Sequence, residues 1–289
     1  MAIGMQLGDI TIQRIIEQQA PLFDPLTFLP NLTPELLAEH RHWLEPEALD
    51  PVTGMLILCI QSYLVRTPHH TILVDTCVGN DKTLPAHPFW HQQKSQSYMR
   101  QLAAAGVGVD DIDYVMCTHL HVDHVGWNTR LENGRWVPTF PKARYLFAEK
   151  ELEFWTGRHA EAPSPIFAES VLPIVAAGRN DRITSSTALN DHVRLEPTPG
   201  HTPDHYAVQL GRGATSAVLT GDLLHSPLQA RFPHISMRAD TDQNQSAQTR
   251  RRFLECYCDT STLVCTGHFP SPSTGRVTRW EDGFRLRAE

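Results

Sequence analysis

The sequence predicts an α/β sandwich. Three observations carry that expectation: apolar runs rich in β-branched residues recur along the chain, helical stretches fall between them, and no tandem repeat or low-complexity tract interrupts the alternation. With 289 residues, 41% of them hydrophobic, the chain can bury a large core. No linker divides residues 51–289, which are read as one domain. Residues 1–50 are read as an N-terminal arm that packs on it.

In chain order, the arm combines a strand candidate over residues 10–15 with a Pro-punctuated stretch carrying Phe23, Phe28, Leu29, Leu36, Leu37, Trp43 and Leu44. These side chains either pack on the core or wall a substrate pocket with their aromatic rings. Residues 55–65 (MLILCIQSYLV) and TILVDT, joined by the turn-like TPHH, read as a hairpin. A helix over SQSYMRQLAAA ends at Gly106 and feeds the strand DYVMCTH. ARYLFA is a strand running into the helix EKELEFW, and residues 164–177 form a further helix. VRLEPTPGH, HYAVQL and SAVLTGD are three short strands, residues 243–257 the last long helix, and TLVCTGH the last strand.

Charge and composition exclude several partner classes. The net charge of -7, from 32 acidic against 25 basic residues, gives no basic excess of the kind that nucleic acid or an anionic membrane selects. The most apolar run, residues 55–65, is shorter than the ~20 residues a bilayer span needs. The start, MAIGMQLGDITIQ, lacks a basic segment followed by an apolar one, so export is not expected. The six cysteines form no CxxC pair and read as reduced thiols of a cytoplasmic protein. The expected partner is a small-molecule substrate, with a homodimer left open.

The chemistry concentrates in Thr118-His119-Leu120-His121-Val122-Asp123-His124-Val125-Gly126-Trp127, directly after an apolar strand. Side chains alternate in an extended chain, so His119 and His121 point the same way and two imidazoles can meet one metal. A helix starting near Asp123 would swing Asp123 and His124 to a neighbouring point. The bland alternative is a loop whose histidines bond each other, and four ligand types within six residues argue against it. Three later strands end in Gly followed by a ligand type: His201 after Gly200, Asp222 after Gly221, His268 after Gly267. Each alone reads as structural; together, beside HxHxDH, they argue for convergence at one sheet edge.

In this order the motifs resemble the metallo-β-lactamase superfamily over about residues 55–270. THLHVDHVGW, PGHTPDH, LTGD and GHF correspond to its metal-binding motifs, and SYLV followed by TILVDT to its opening hairpin. The resemblance implies an αββα sandwich with two divalent metal ions at one sheet edge. His119, His121 and His201 would hold the first, Asp123, His124 and His268 the second, and Asp222 would bridge them. Imidazole and carboxylate ligands without thiolate suit Zn2+, with Fe, Mn or Co open. Two such ions about 3.5–4 Å apart can share a water, lower its pKa towards 7 and polarise a substrate oxygen. Asp123 would orient that hydroxide or pass its proton on.

The chain departs from relatives at three positions. Cys77 stands where glycine is common and reads as a small packed residue near Asp75. Asp204 stands in PGHTPDH where glycine is common, either orienting a ligand histidine or facing solvent. His225 stands three residues after Asp222, where acyl-homoserine lactonases tend to have a tyrosine that binds the substrate carbonyl. It is a candidate catalytic residue, as an oxyanion donor or proton shuttle, against a purely structural role. His69, His70, His159, His192, His205 and His234 read as structural.

The implied activity is hydrolysis of a small ester, a lactone or carboxylic ester, by metal-bridging hydroxide. An organophosphate triester is the near variant, because GHFP and the long arm resemble methyl-parathion-hydrolase-like members; thiolester and β-lactam hydrolysis rank lower. The reading from a different class is an iron-dependent oxidoreductase of the same superfamily. Specificity is expected to depend on the arm and on the segments around Phe89, Trp90, Phe154 and Trp155.

Overall fold

Strands and helices interleave as expected for the α/β class in the computed structural model, which describes residues 4–213 and 215–288. The chain falls into two compact units, Met1–Glu17 with Ile60–Thr187, and Gln18–Cys59 with Ala188–Glu289. Among the described residues no helix is long and apolar enough to cross a membrane.

The first unit is built on a sheet with the strand order Met5–Leu7, Ile10–Phe23, Leu56–Arg66, Thr71–Val74, Tyr114–Met116, Arg144–Ala148, Asn180–Ile183. The predicted hairpin forms, with Tyr63 opposite Val74 and Arg66 opposite Thr71. The last four strands run parallel, and parallel neighbours need crossover connections. Helices Ser97–Ala104 and Glu149–Glu161 supply them. The first buries Tyr98 and Leu102 and stops where Gly106 takes φ +75°, a left-handed conformation that costs glycine nothing. These inner strands are short and almost wholly buried, which is why they read as apolar runs.

Two expectations are corrected here. Residues 164–177 form two helices, Pro165–Ser170 and Leu172–Ala176, because Pro173 lacks an N–H and disfavours continuation. The strand expected over residues 10–15 runs to Phe23: QQAPLF has weak strand propensity, and pairing carries it. A small hairpin, Thr129–Glu132 with Arg135–Pro138, turns at Asn133 and Gly134, both at positive φ. Lys82 ties it down, its Nζ 3.7 Å from the Trp136 ring centre and 2.6 Å from Thr129 Oγ1.

The second unit carries a sheet ordered Val193–Pro197, Tyr206–Arg212, Thr215–Leu219, Leu263–Cys265, Thr274–Trp280, Gly283–Arg287, antiparallel except for the third and fourth strands. Helix Gln243–Tyr257 lies where the sequence put it, its N-terminus capped by Asp242 Oδ1 accepting from the Gln245 N–H at 2.9 Å. Phe253, Leu254 and Tyr257 of this helix join Val218, Val264, Val277 and Phe284 in one core cluster. A second cluster gathers the arm residues Phe28, Leu29, Leu32, Leu44 and Leu49 with Leu228 and Ile235, and Phe23, Leu36, Leu37 and Trp43 pack against it. Helix Pro34–Leu44 begins with proline at its first turn and Thr33 Oγ1 accepting from the Leu36 N–H. All six cysteines are free thiols.

Candidate metal centre

In the first unit the ligand segment leaves the C-terminal end of strand Tyr114–Met116, the end at which parallel sheets present ligand-binding residues. Helix Val122–Val125 then begins, with His121 at its N-cap. The four predicted ligands come together. The His119 ring centre lies 4.6 Å from that of His121 and 4.1 Å from that of His124, and Asp123 Oδ1 lies 3.7 Å from His124 Nε2. Asp75 organises them from behind. Its carboxylate accepts the Thr118 N–H at 2.8 Å and Oγ1–H at 3.0 Å and lies 2.9 Å from His124 Nδ1, while Thr118 Oγ1 lies 3.1 Å from His119 Nδ1. Buried Glu151 accepts both the Leu120 N–H and the Trp155 indole N–H, which sets Trp155 edge-on to His121 at 5.3 Å.

Backbone contact locks this segment. Thr76 N–H donates to His124 O, Gly126 N–H to Cys77 O and Trp127 N–H to Thr76 O, each at 2.8 Å. At Gly126 a Cβ would sit 1.7 Å from Val78 O, and at Gly79, φ +78°, 2.7 Å from the Gly126 carbonyl carbon; only glycine allows the crossing. Cys77 between them is buried at φ +50°, its Sγ 3.5 Å from Ser62 Oγ. Glu17 holds the loop from the other side: its carboxylate accepts from Val78 N–H (2.9 Å), Gly79 N–H (3.2 Å) and the Trp127 indole (2.6 Å). Burial pushes this carboxyl up to about 7 despite the three donors.

In the second unit Asp222 sits in the one-turn helix Gly221–Leu223, with Gly221 at φ +52° making the bend. Both carboxylate oxygens are engaged: Oδ1 lies 2.8 Å from His268 Nε2, and Oδ2 lies 3.1 Å from His201 Nε2 and 3.1 Å from His225 Nε2. The glycines before the ligands permit this closeness. A Cβ at Gly267 would stand 2.9 Å from Gly221 O, and one at Gly200 (φ +130°) 2.3 Å from the Ser246 nitrogen. His205, read as structural, is buried and accepts the Asp222 N–H at Nε2, 3.0 Å, while its Nδ1 meets Thr198 Oγ1 at 2.8 Å. Asp204 is only 8% exposed, which sets aside the solvent-facing alternative.

Two residues that no spacing rule marks hold this half in place. Asp240 Oδ1 accepts from His201 Nδ1 at 2.7 Å. Burial alone would push His201 down, but its bonds to the Asp222 and Asp240 carboxylates outweigh burial and hold it up at about 9. Arg250, fully buried, donates to Leu223 O (2.7 Å), Pro233 O (3.0 Å), Ile235 O (2.8 Å) and Ser246 Oγ (2.9 Å), and lies 3.6 Å from Asp240 Oδ2. It therefore joins the turn carrying Asp222 to the segment carrying Asp240.

Each unit's donor set fits a divalent cation of the zinc type. Imidazoles whose second nitrogen is occupied by a carboxylate, carbonyl or hydroxyl are oriented and basic, as metal-binding histidines are. Such an ion would take the place that protons hold between carboxylate and imidazoles in its absence.

The comparisons agree with this donor chemistry. A family model described as the metallo-beta-lactamase superfamily matches residues 60–268. A probable metallo-hydrolase of Mycobacterium tuberculosis is 26% identical over 244 residues, covering 75% of this chain and 76% of its own. A ribonuclease Z of Mycobacterium sp. (strain KMS) is 24% identical over 251 residues, covering 76% and 81%. Among solved structures, AidC, a dizinc quorum-quenching lactonase in complex with a product, superposes with TM-score 0.82 at 22% identity over 99% of this chain and 97% of that one. The hydrolase AbOPH follows with TM-score 0.81 at 21% identity over 99% and 96%.

Proposed function

From the premise that the chain belongs to the metallo-beta-lactamase superfamily and is a metal-dependent hydrolase, we propose that it opens lactones and related carboxylic esters at a two-metal centre. His119, His121 and His201 are assigned to one ion, Asp123, His124 and His268 to the other, and Asp222 to the bridge. The observation that carries the reading is Asp222, whose two carboxylate oxygens face imidazole nitrogens from separate segments, His268 on one side and His201 on the other. A carboxylate presented in this way suits bridging. Two divalent ions there, zinc being the first choice, would supply a water acidified towards neutrality and a Lewis acid for the acyl oxygen.

The chain's own residues do the rest. Asp123, less buried than His124 beside it, is assigned proton transfer to the leaving alkoxide. His205 and Asp240 fix Asp222 and His201 before substrate arrives, so orientation is not left to the moment of reaction. Lactone is preferred over other esters because two solved structures of similar fold hold a product, N-hexnoyl-L-homoserine in AidC and N-hexanoyl-L-homoserine in an N-acyl homoserine lactone hydrolase, the latter with TM-score 0.63 at 21% identity. The test is a panel of lactones, aryl esters, thiolesters, phosphotriesters and a β-lactam, run on protein of measured metal content before and after chelation. Lactone turnover that disappears with the metal supports the reading. Turnover confined to phosphotriesters, or unaffected by chelation, overturns it.

A further inference from the structure

We infer that His225 is itself a metal ligand, giving the centre a nitrogen beyond the seven-residue set. The inference rests on the two-metal reading above and concerns only residues of the second unit.

His225 has the same hydrogen-bonding arrangement as the two assigned ligands beside it. His268 Nδ1 faces the Cys59 carbonyl at 3.0 Å, and His201 Nδ1 faces the Asp240 carboxylate at 2.7 Å. Both oxygens only accept, so each Nδ1 is a donor, and Nε2 is the nitrogen left for a metal or, in its absence, for the proton shared with Asp222. At His225 the partner is Gln229. Its Nε2 donates to Ile235 O at 3.0 Å, which identifies the other amide atom as oxygen. That oxygen accepts the His225 backbone N–H at 2.7 Å and faces Nδ1 at 3.3 Å. His225 Nδ1 thus also faces an acceptor, and its Nε2 is the nitrogen turned to Asp222 Oδ2 at 3.1 Å.

Each of these three nitrogens needs a proton or a cation between it and the carboxylate, and an ion bound here would replace those protons. Donors sharing one tetrahedral zinc, with bonds of about 2.0–2.1 Å, stand about 3.3 Å apart. The Nε2 to carboxylate distances here are 2.8 to 3.1 Å, and ligand atoms of Asp222, His225 and His268 all lie within 4.8 Å of one another. The rings of His225 and His268 are parallel within 6° at 5.2 Å, and both Nε2 atoms face the Asp222 carboxylate. A residue that donates to a substrate oxygen needs an N–H turned to the substrate. His225 turns Nδ1 to Gln229 and Nε2 to Asp222, and it is 1% exposed, as buried as His201.

The experiment is metal binding, not turnover. His225→Phe and His225→Gln are loaded with Co2+, and their visible spectra and metal retention against a graded chelator are compared with wild type. Loss of the wild-type spectrum and at least tenfold weaker retention of one ion are expected in both variants. In parallel, a crystal structure of the metal-loaded wild-type protein is expected to place His225 Nε2 about 2.1 Å from an ion. An unchanged spectrum with unchanged retention, or a nitrogen-to-ion distance beyond about 3 Å, overturns the inference. Absence of lactone turnover in a protein that shows the expected spectra would instead count against the substrate reading alone.

Discussion

Replacing Arg250 with methionine keeps the side chain's bulk and removes every donor. Leu223 O and Pro233 O, served by the guanidinium at 2.7 and 3.0 Å, would be left buried without it, Ile235 O would keep only the Gln229 amide, and Asp240 would lose its nearby cation. An unsatisfied buried acceptor costs roughly 1–3 kcal/mol, and removing one partner of a buried ion pair roughly 3–5 kcal/mol. Partial relaxation and water entry place the expected loss near the second range. For a domain of this size each kcal/mol lowers the melting midpoint by roughly 2–4 °C, so R250M should melt roughly 6–20 °C below wild type. The assay is thermal melting by circular dichroism of metal-free protein, with metal content measured separately after reloading. R250K, which retains a charge and one or two of the bonds, should fall between the two. A shift below about 2 °C in R250M would refute the claim that this arginine joins the two segments.

Other perturbations should separate ligand, packing and charge effects. Asp222→Ala is expected to abolish turnover of any accepted substrate while the protein still folds; wild-type rates would exclude a bridging role. Chelation should inactivate the enzyme and added Zn2+ restore it, followed by turnover against measured metal content. Cys77→Gly should leave kcat/KM nearly intact and stability within about 1 kcal/mol, because glycine relieves the φ of +50° while the lost Sγ packing offsets the gain. Glu17→Gln should change the pH dependence of stability. The unfolded carboxyl ionises near 4.5 and the folded one near 7, so the wild type loses up to about 3 kcal/mol as pH rises through that window, and the variant does not. Melting both proteins across it would show a wild-type-minus-variant difference that falls with pH; a flat difference would sink the assignment.

What the sequence revealed was local. HxHxDH after an apolar strand, and glycine before His201, Asp222 and His268, are patterns within ten residues, and the structure gathers those side chains within each unit. What it hid was long-range or ambiguous. Asp240 lies 39 residues from His201, and Glu17 lies 110 residues from Trp127, so no periodicity links either pair. The C-terminal hairpin, Thr274–Trp280 with Gly283–Arg287, gives no clear apolar signal because Arg276, Arg279, Arg285 and Arg287 dilute it. The Asn133-Gly134 pair carries a hairpin signal and Pro173 a helix-break signal, each weaker than the apolar runs beside it. His225 was marked by its distance from Asp222, but only the partner of its second nitrogen distinguishes a ligand from a proton donor.

The crossing of Val78-Gly79 over Gly126 bears on how this enzyme can be engineered. In a saturation library, positions 79 and 126 should return glycine alone, since at either one even a methyl group meets the opposing main chain. A compensating change at one position cannot rescue the other, because the obstruction is backbone rather than a side chain that could be trimmed.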